Sequence, residues 1–313
     1  MRILVVGAGA VGGYFGARLA AAGRDVTFLV RERRATQLRQ IGLVLKSSSG
    51  DLTIAPADLK LISAQELAAS KSTFDLILLA TKAYALDTAM DDFAPAIGAD
   101  TAILPVLNGM RHLDMLSARF GGEHVLGGSS RIVGDLDPDG RVLHIEHWQD
   151  LVFGERDKSI TPRIEAIAKT LHGAGFEDQL SPDILAFMWH KWMLLASMAG
   201  LTCLLRGNIG EIARAPFGVE TQRSFIAECA AIAAASGYPT SDKSLATVTA
   251  RLTDPQSVLT ASMYRDLQKN SPVEADHILG DLLRRGNAMG LHSPLLQAAY
   301  VQLSVYMAGK ERS

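Results

Sequence analysis

A short apolar run, Ile3-Leu4-Val5-Val6, passes through glycines into an Ala-rich stretch of helical spacing over 11–22, and a second apolar run follows over 25–30. Strand-sized apolar runs return over 74–80, 101–105 and 124–128, with helix-forming segments between them. This alternation predicts βαβ units in a parallel sheet, because parallel neighbours need a long crossover and the crossover is usually a helix. Residues 43–46 and 52–54 flank Ser47-Ser48-Ser49-Gly50 and predict a hairpin decorating that sheet. The runs over 141–147 and 151–153, set off by Asp137-Pro138-Asp139-Gly140 and by Gly154, predict a second antiparallel addition ahead of a helix over 161–172.

Beyond Ser181-Pro182-Asp183, a good helix entry, strand patterns give way to helical ones over 183–201, 216–236, 242–252, 260–269, 274–289 and 294–307, separated by glycine, proline or asparagine. A single core stops growing near ~250 residues, so 313 residues suit two domains. The fold class predicted is α/β: a doubly wound, Rossmann-like sheet domain over 1–180 and an all-helical domain over 181–313.

Composition narrows the partners. The chain is 48% hydrophobic and 20% charged, with a formal net charge of −2 and no block of like charge, so it carries no footprint of a nucleic-acid or membrane surface. No apolar leader follows Met1-Arg2, and the longest charge-free apolar run, over 193–205, is shorter than the ~20 residues a bilayer span needs. A soluble, cytoplasmic protein is expected. The two cysteines, Cys203 and Cys229, lie in apolar stretches without ligand spacing and read as core thiols, and no metal site is expected. Apolar helices such as 193–205 suit a core or a second copy of the chain equally, which keeps a homodimer among the expected partners.

The first candidate chemistry is the glycine-rich turn Gly7-Ala8-Gly9-Ala10-Val11-Gly12. In a GxGxxG turn between a strand and a helix, the first glycine permits the tight turn, the second lets a pyrophosphate approach the backbone, and the third allows close helix packing. The helix N-terminus then offers unpaired N–H groups and a partial positive charge. At the end of the second strand, where a carboxylate would accept bonds from a ribose 2′-hydroxyl, stands Arg31. A guanidinium there favours a 2′-phosphate, hence NADP(H), although Arg31 beside Glu32, Arg33 and Arg34 also reads as a solvated loop charge. Lys82 and Asn108 follow the next two strands, at the sheet edge where doubly wound folds bind ligands. They also read as a surface lysine and a turn asparagine. Within Phe187-Met188-Trp189-His190-Lys191-Trp192-Met193-Leu194-Leu195, Lys191 interrupts a helix that is apolar nearly all round. Desolvation there would ease loss of its proton and suit it to general acid catalysis at a carbonyl; alternatively its stem packs and its ammonium reaches water.

These pieces together resemble the ketopantoate reductase (2-dehydropantoate 2-reductase) family. The resemblance rests on GAGAVGGYFGARLA from Gly7, Thr81-Lys82-Ala83, Leu107-Asn108-Gly109-Met110, Trp189-His190-Lys191, Ala261-Ser262-Met263-Tyr264-Arg265-Asp266 and Val273-Glu274-Ala275-Asp276-His277-Ile278 leading to Leu282-Leu283-Arg284-Arg285-Gly286, in that order over essentially the whole chain. It implies a C-terminal domain like that of 6-phosphogluconate dehydrogenase and an NADPH-dependent reduction of a 2-oxo acid to a 2-hydroxy acid, the pantothenate-pathway step of its best-known members. It also implies Lys191 as general acid, Glu274 as its acidic partner, Lys82 and Asn108 beside the nicotinamide and its ribose, and Ser262 on the substrate carboxylate side. From the residues alone, Glu274 reads equally as a helix-start carboxylate and Ser262 as a surface helix serine.

Three positions depart from the family pattern. Leu195, Ala199 and Leu259 stand where the best-known members carry asparagines that help bind substrate; Ser197, Thr202 and Asn208 are the polar residues that would compensate. A pocket that loses hydrogen-bonding partners discriminates against the original substrate, so a different 2-oxo or 2-hydroxy acid is an open alternative. Dehydrogenases for hydroxy acids or opines share the plan. A non-catalytic NADP(H) sensor would keep Gly7 to Gly12 and Arg31 but would have no need of Lys191 and Glu274 together.

Overall fold

In the computed structural model, which describes residues 1–310, the first of two units is built on a five-stranded parallel sheet. Its order is β5 (Lys60–Ile62), β2 (Asp25–Leu29), β1 (Arg2–Val6), β6 (Leu76–Leu79), β7 (Ala102–Pro105). All residues of β6 and β7 and all but the first of β1 are buried, as expected when helices cover both faces of a parallel sheet. Chain order reverses at β1, which pairs with β2 on one side and β6 on the other, Val5 lying opposite Phe28 and Leu78. The helices of this unit are α1 (Ala10–Ala21), α2 (Glu32–Ile41), α3 (Ala64–Ser70), α4 (Leu86–Phe93), α5 (Arg111–Phe120) and α6 (Pro162–Leu171).

A second sheet runs β10 (Glu177–Leu180), β9 (Val142–Gly154), β3 (Leu43–Ser47), β4 (Leu52–Ile54), with β8 (Gly127–Leu136) antiparallel to β9. The hairpin around residues 47–50 forms, with Leu43 opposite Ile54. The other two strand expectations need correction. Residues 142–154 are one continuous strand, antiparallel only to β8 and parallel to β3 and β10. Its polar middle, from Glu146 to Gln149, breaks the apolar pattern at the place where the ladder with β8 shifts register, between the pairs Gln149 with Ile132 and His144 with Gly134. Of the run over 124–128, Val125 alone bridges to Ile103, and from Gly127 the chain enters the second sheet.

Helix α1 lies between the two sheets, which explains its small residues. A Cβ on Gly13 would come within 2.7 Å of the Val142 side chain, and one on Gly16 within 2.4 Å of Phe28. Tyr14 and Phe15, both fully buried, fill the rest of the interface; Phe15 meets Phe176 edge to face at 5.0 Å.

The first unit comprises Met1–Leu107 and His112–Leu185; the second comprises Asn108–Arg111 and the chain from Ala186 onward. The division falls between Leu185 and Ala186, two residues into α7 (Ile184–Leu205). The Ser181 amide donates to Phe153 O at 2.8 Å, and Ile184 packs where Gly127 and Gly154 leave room.

The second unit contains α7, α8 (Ile209–Arg214), α9 (Gly218–Ala235), α10 (Asp242–Leu252), α11 (Ser262–Gln268), a π turn (Asp276–Gly280), α12 (Asp281–Ala288) and α13 (Pro294–Lys310). By length and composition alone α7 is apolar enough to cross a membrane, but more than half of its apolar stretch is buried inside the protein, as in a core helix. The expected helix over 274–289 is instead the π turn continued by α12. Helix α8 was not anticipated; the capping box of Asn208 with Glu211 is the signal that marks it. Glu228 on α9 accepts from the amides of Leu295 and Leu296 at 3.2 and 2.9 Å and so closes the N-terminus of α13.

Cys203 and Cys229 are both fully buried, and burial pushes both thiols up to about 12. The native protein is expected to leave a thiol-specific chromogenic reagent unreacted at mildly alkaline pH, and to react at both positions once unfolded in guanidinium chloride.

Candidate active site

The carboxyl end of β1 turns through Gly7, whose φ of +92° suits only glycine without strain. The three glycines of the turn differ in what surrounds them. A Cβ on Gly12 would stand 1.9 Å from the Gly7 carbonyl oxygen, so the fold itself forbids a side chain there. A Cβ on Gly9 would meet nothing within 4 Å, so the fold does not require glycine at that position. Gly9 is also the N-cap of α1 and brings no side chain to cap it, and the first turn, which contains Ala10 and Val11, holds no acidic residue. The helix end therefore keeps its positive field and offers open space beside the backbone, a good fit to a pyrophosphate. Thr81, passed over in the sequence, lies against the same turn: its methyl would sit 3.4 Å from a Cβ on Gly7, and its buried hydroxyl has no hydrogen-bond partner.

Arg31 is exposed at the N-cap of α2, directly after β2, and its guanidinium makes no hydrogen bond or ion pair among the described residues. Glu32 next to it accepts from Arg39 at 2.9 Å, so its charge is partly neutralised along α2. Arg34 has a different place from the one its sequence neighbours imply. Its Nε donates to Ala8 O at 2.8 Å and its Nη1 to Gly140 O at 2.6 Å, tying the glycine turn to the β8–β9 hairpin. Burial lowers the pKa of Arg34 and the charge of Asp137 opposes that shift. Lys82 is exposed just past β6, at the N-cap of a short turn over Ala83–Ala85. Residues 7–12, Arg31, Thr81 and Lys82 thus all lie past the carboxyl ends of β1, β2 and β6, where the strand order reverses.

The remaining candidates belong to the second unit. Asn108 is partly buried and precedes Gly109, whose φ is +83° and where a Cβ would stand 3.0 Å from His277 O. Arg111, the first residue of α5 directly after this short loop, pairs with Asp276, the first residue of the π turn. Lys191 is partly buried on α7 beside Trp192, whose indole Nε1 donates to Ile278 O in the π turn at 2.9 Å. Glu274, also partly buried, stands two residues before the turn. Asn108, Lys191 and Glu274 are thus each tied, through a neighbour in sequence, to one π turn. Ser262 is exposed on the first turn of α11.

Electrostatics around the turn are uneven. Burial lowers the pKa of the His277 imidazole, with Glu274 opposing the shift. At Asp276 partial burial acts to raise the pKa, but hydrogen bonds from Arg284 and Tyr300 and the charges of Arg284 and Arg111 outweigh it and hold the carboxyl at about 2.

The three polar residues expected to compensate for Leu195, Ala199 and Leu259 are committed elsewhere. Buried Ser197 donates to Met193 O at 2.8 Å and buried Thr202 to Met198 O at 2.8 Å, each satisfied by its own helix. Asn208 caps α8, accepting from the Glu211 amide at 2.8 Å. Ala199 is itself buried, and the Leu259 carbonyl accepts from the Ile209 amide at 3.0 Å.

A doubly wound parallel sheet with an open glycine turn at its switch point, joined in sequence to an all-helical unit, places the chain in the Rossmann class of α/β proteins. Known families narrow this. The family model for ketopantoate reductase PanE/ApbA matches residues 3–158, and that for the ketopantoate reductase PanE/ApbA C terminal matches residues 183–307. The uncharacterized oxidoreductase YkpB of Bacillus subtilis (strain 168) is 37% identical over 99% of this chain and 100% of its own. The crystal structure of 2-dehydropantoate 2-reductase from Geobacter metallireducens GS-15 matches with a TM-score of 0.86 at 28% identity, covering 97% of this chain and 99% of that one. D-mandelate dehydrogenase, solved with NADH and anilino(oxo)acetate, shares the fold with a TM-score of 0.85 at 23% identity over 99% of each chain. The chain belongs to the ketopantoate reductase PanE/ApbA family and is an oxidoreductase.

The contrast between the glycines is testable. Gly12→Ala should lower stability by about 1–3 kcal/mol or more through backbone overpacking, read by chemical denaturation. Gly9→Ala should melt with the wild type yet bind NADPH more weakly in a fluorescence titration; a Gly9→Ala variant that binds as tightly as the parent would remove position 9 from the pyrophosphate site.

Proposed function

We propose that the chain catalyses NADPH-dependent reduction of a 2-oxo acid to a 2-hydroxy acid in the manner of a ketopantoate reductase (2-dehydropantoate to pantoate), as a soluble cytoplasmic enzyme. The observation that carries the proposal is the tying of Lys191, Asn108 and Glu274 to one π turn within a chain of this family. Bound nicotinamide dinucleotide supplies the hydride. Gly7 to Gly12 hold its pyrophosphate against the N-terminus of α1, Arg31 faces the 2′-phosphate, and Lys82 and Asn108 serve the nicotinamide end. Lys191 Nζ donates a hydrogen bond to the substrate carbonyl oxygen, which draws electron density from the carbon, and passes its proton to that oxygen as the alcohol forms. Glu274 holds lysine and substrate in register, and Ser262 addresses the substrate carboxylate.

Cofactor choice is supported by a cation at the end of β2 with no carboxylate partner, next to a glutamate already paired with Arg39. The exact acid is a separate matter. Leu195, Ala199 and Leu259 offer no side-chain hydrogen bonds, and the structure commits Ser197, Thr202 and Asn208 locally. This favours, as a second reading, a related NAD(P)-dependent dehydrogenase whose 2-oxo or 2-hydroxy acid carries an apolar substituent where pantoate has a hydroxyl.

NADPH oxidation measured against a panel of 2-oxo acids that includes ketopantoate decides among these. Lys191→Met should lose ~10²-fold or more in rate at near-unchanged NADPH affinity. Equal rates would take Lys191 out of the mechanism, and no oxidation with any acid would favour a non-catalytic NADP(H) sensor. Arg31→Asp should weaken NADPH far more than NADH in binding titrations, and equal weakening would refute the 2′-phosphate contact.

A further inference from the structure

The Asp276 carboxylate accepts from three side chains. Its Oδ2 takes Arg111, and its Oδ1 takes both Arg284 Nη1 at 2.8 Å and the Tyr300 hydroxyl at 2.7 Å, while Arg284 Nη2 reaches the Asp276 carbonyl at 3.3 Å. These donors come from three places: the segment Asn108–Arg111, helix α12 and helix α13. Asp276 and its two arginines are about half exposed. An isolated ion pair at that exposure is worth only ~0–1 kcal/mol, whereas here two arginines and a tyrosine form a network on one carboxylate.

The surroundings are shaped to admit this arrangement. A Cβ on Gly280 would stand 2.7 Å from the Tyr300 ring and 2.8 Å from Asp276 Oδ1, so a side chain at the end of the π turn would push between the two partners. Glycine inside a helical segment costs about 1 kcal/mol relative to alanine, a penalty retained here to keep the contact. On the other side, Gly109 lets the loop lie flush against His277 O. A π turn breaks the i to i+4 pattern and is frequent at functional sites. Here its first residue binds the loop that carries Asn108, its third residue accepts from Trp192 beside Lys191, and it begins two residues after Glu274.

We propose that Asp276 is a positioning residue of the reduction site: through Arg111 it fixes the Asn108 loop to the Glu274 segment, and through Arg284 and Tyr300 it braces that segment on α12 and α13. Arg111, the first residue of α5, carries the ion pair that joins the end of the Asn108 loop to the π turn. With its pKa at about 2, the carboxyl stays ionised across the neutral range, and the clamp does not switch with physiological pH. The inference rests on the assignment of Asn108, Lys191 and Glu274 made above.

The test uses the full chain with NADPH and the panel of 2-oxo acids, comparing Arg111→Met, Arg111→Lys, Asp276→Asn and the double variant Arg111→Met/Asp276→Asn. Arg111→Met leaves Arg284 and Tyr300 on Asp276 and so guards against a variant that merely unfolds. It should speed amide hydrogen exchange over residues 105–112 and lower kcat by about 10-fold or more, since small misplacements of reacting groups cost rate on that scale. The melting temperature and the KM for NADPH should stay near the parent values, and Arg111→Lys should recover part of the lost kcat. The double variant should lower kcat by less than the product of the single effects. Unchanged exchange over residues 105–112, or a kcat loss that Arg111→Lys does not relieve, overturns the proposal. If the parent oxidises NADPH with no acid in the panel, the proposed function fails on its own, while the exchange of Arg111→Met still decides whether Asp276 holds the loop.

Discussion

The first unit depends on how closely the N-terminus of α1 approaches the carboxyl end of β1. With the Gly7 carbonyl 1.9 Å from where a Cβ of residue 12 would stand, helix and strand meet backbone to backbone. That contact aims the end of α1 past the sheet edge, and the glycines at 13 and 16 continue it by letting Val142 and Phe28 close on the helix from two sides. The two sheets share one core because of this narrow helix, and Arg34 reinforces the same spot by joining the turn to the β8–β9 hairpin. Gly9 is free of any such steric demand, and the proposed pyrophosphate site supplies a reason for glycine there.

The second unit solves a different problem. Helix α7 is apolar around nearly its whole circumference and is largely buried, so a cation on it must have a defined environment. The environment is organised by the π turn, where an indole donor, a short loop and a multiply bonded carboxylate converge on five residues. On the proposed assignment of Lys191 and Glu274, a turn of this kind would give each acid–base group a fixed neighbour, the arrangement a proton donor needs at a developing alkoxide.

Much of this was legible in the pattern of the chain. The alternation of strands and helices, the hairpin at residues 47–50 and the long apolar helix follow from local periodicity, and the glycine spacing marks the turn by stereochemistry that only glycine satisfies. What escaped is non-local. The strand over 142–154 hides behind a polar middle where its hairpin ladder with β8 shifts register, its parallel partners β3 and β10 lie far off in sequence, and β10 and β5 are short edge strands with weak patterns. The short helix α8 carried a capping box that the apolar pattern overshadowed. Among site residues, Arg34 looked like its exposed neighbour Arg33 because charge runs do not reveal which member turns inward. Thr81 looked like an ordinary strand-end threonine.

By itself the sequence determined the α/β class, the glycine turn and the family, since each is written in local spacing or in short motifs held in order. Only the tertiary structure decided which of those residues act together. It separated Arg31 at the surface from Arg34 beneath the turn, and it committed Ser197, Thr202 and Asn208 to their own helices. It also gathered Asp276, Arg111, Arg284 and Tyr300 from stretches up to 189 residues apart (Arg111 to Tyr300) onto one carboxylate. The physical reason is that periodicity and turn chemistry act over a few residues, whereas the partner of a buried or charged group is chosen by packing between segments whose separation the local pattern does not encode.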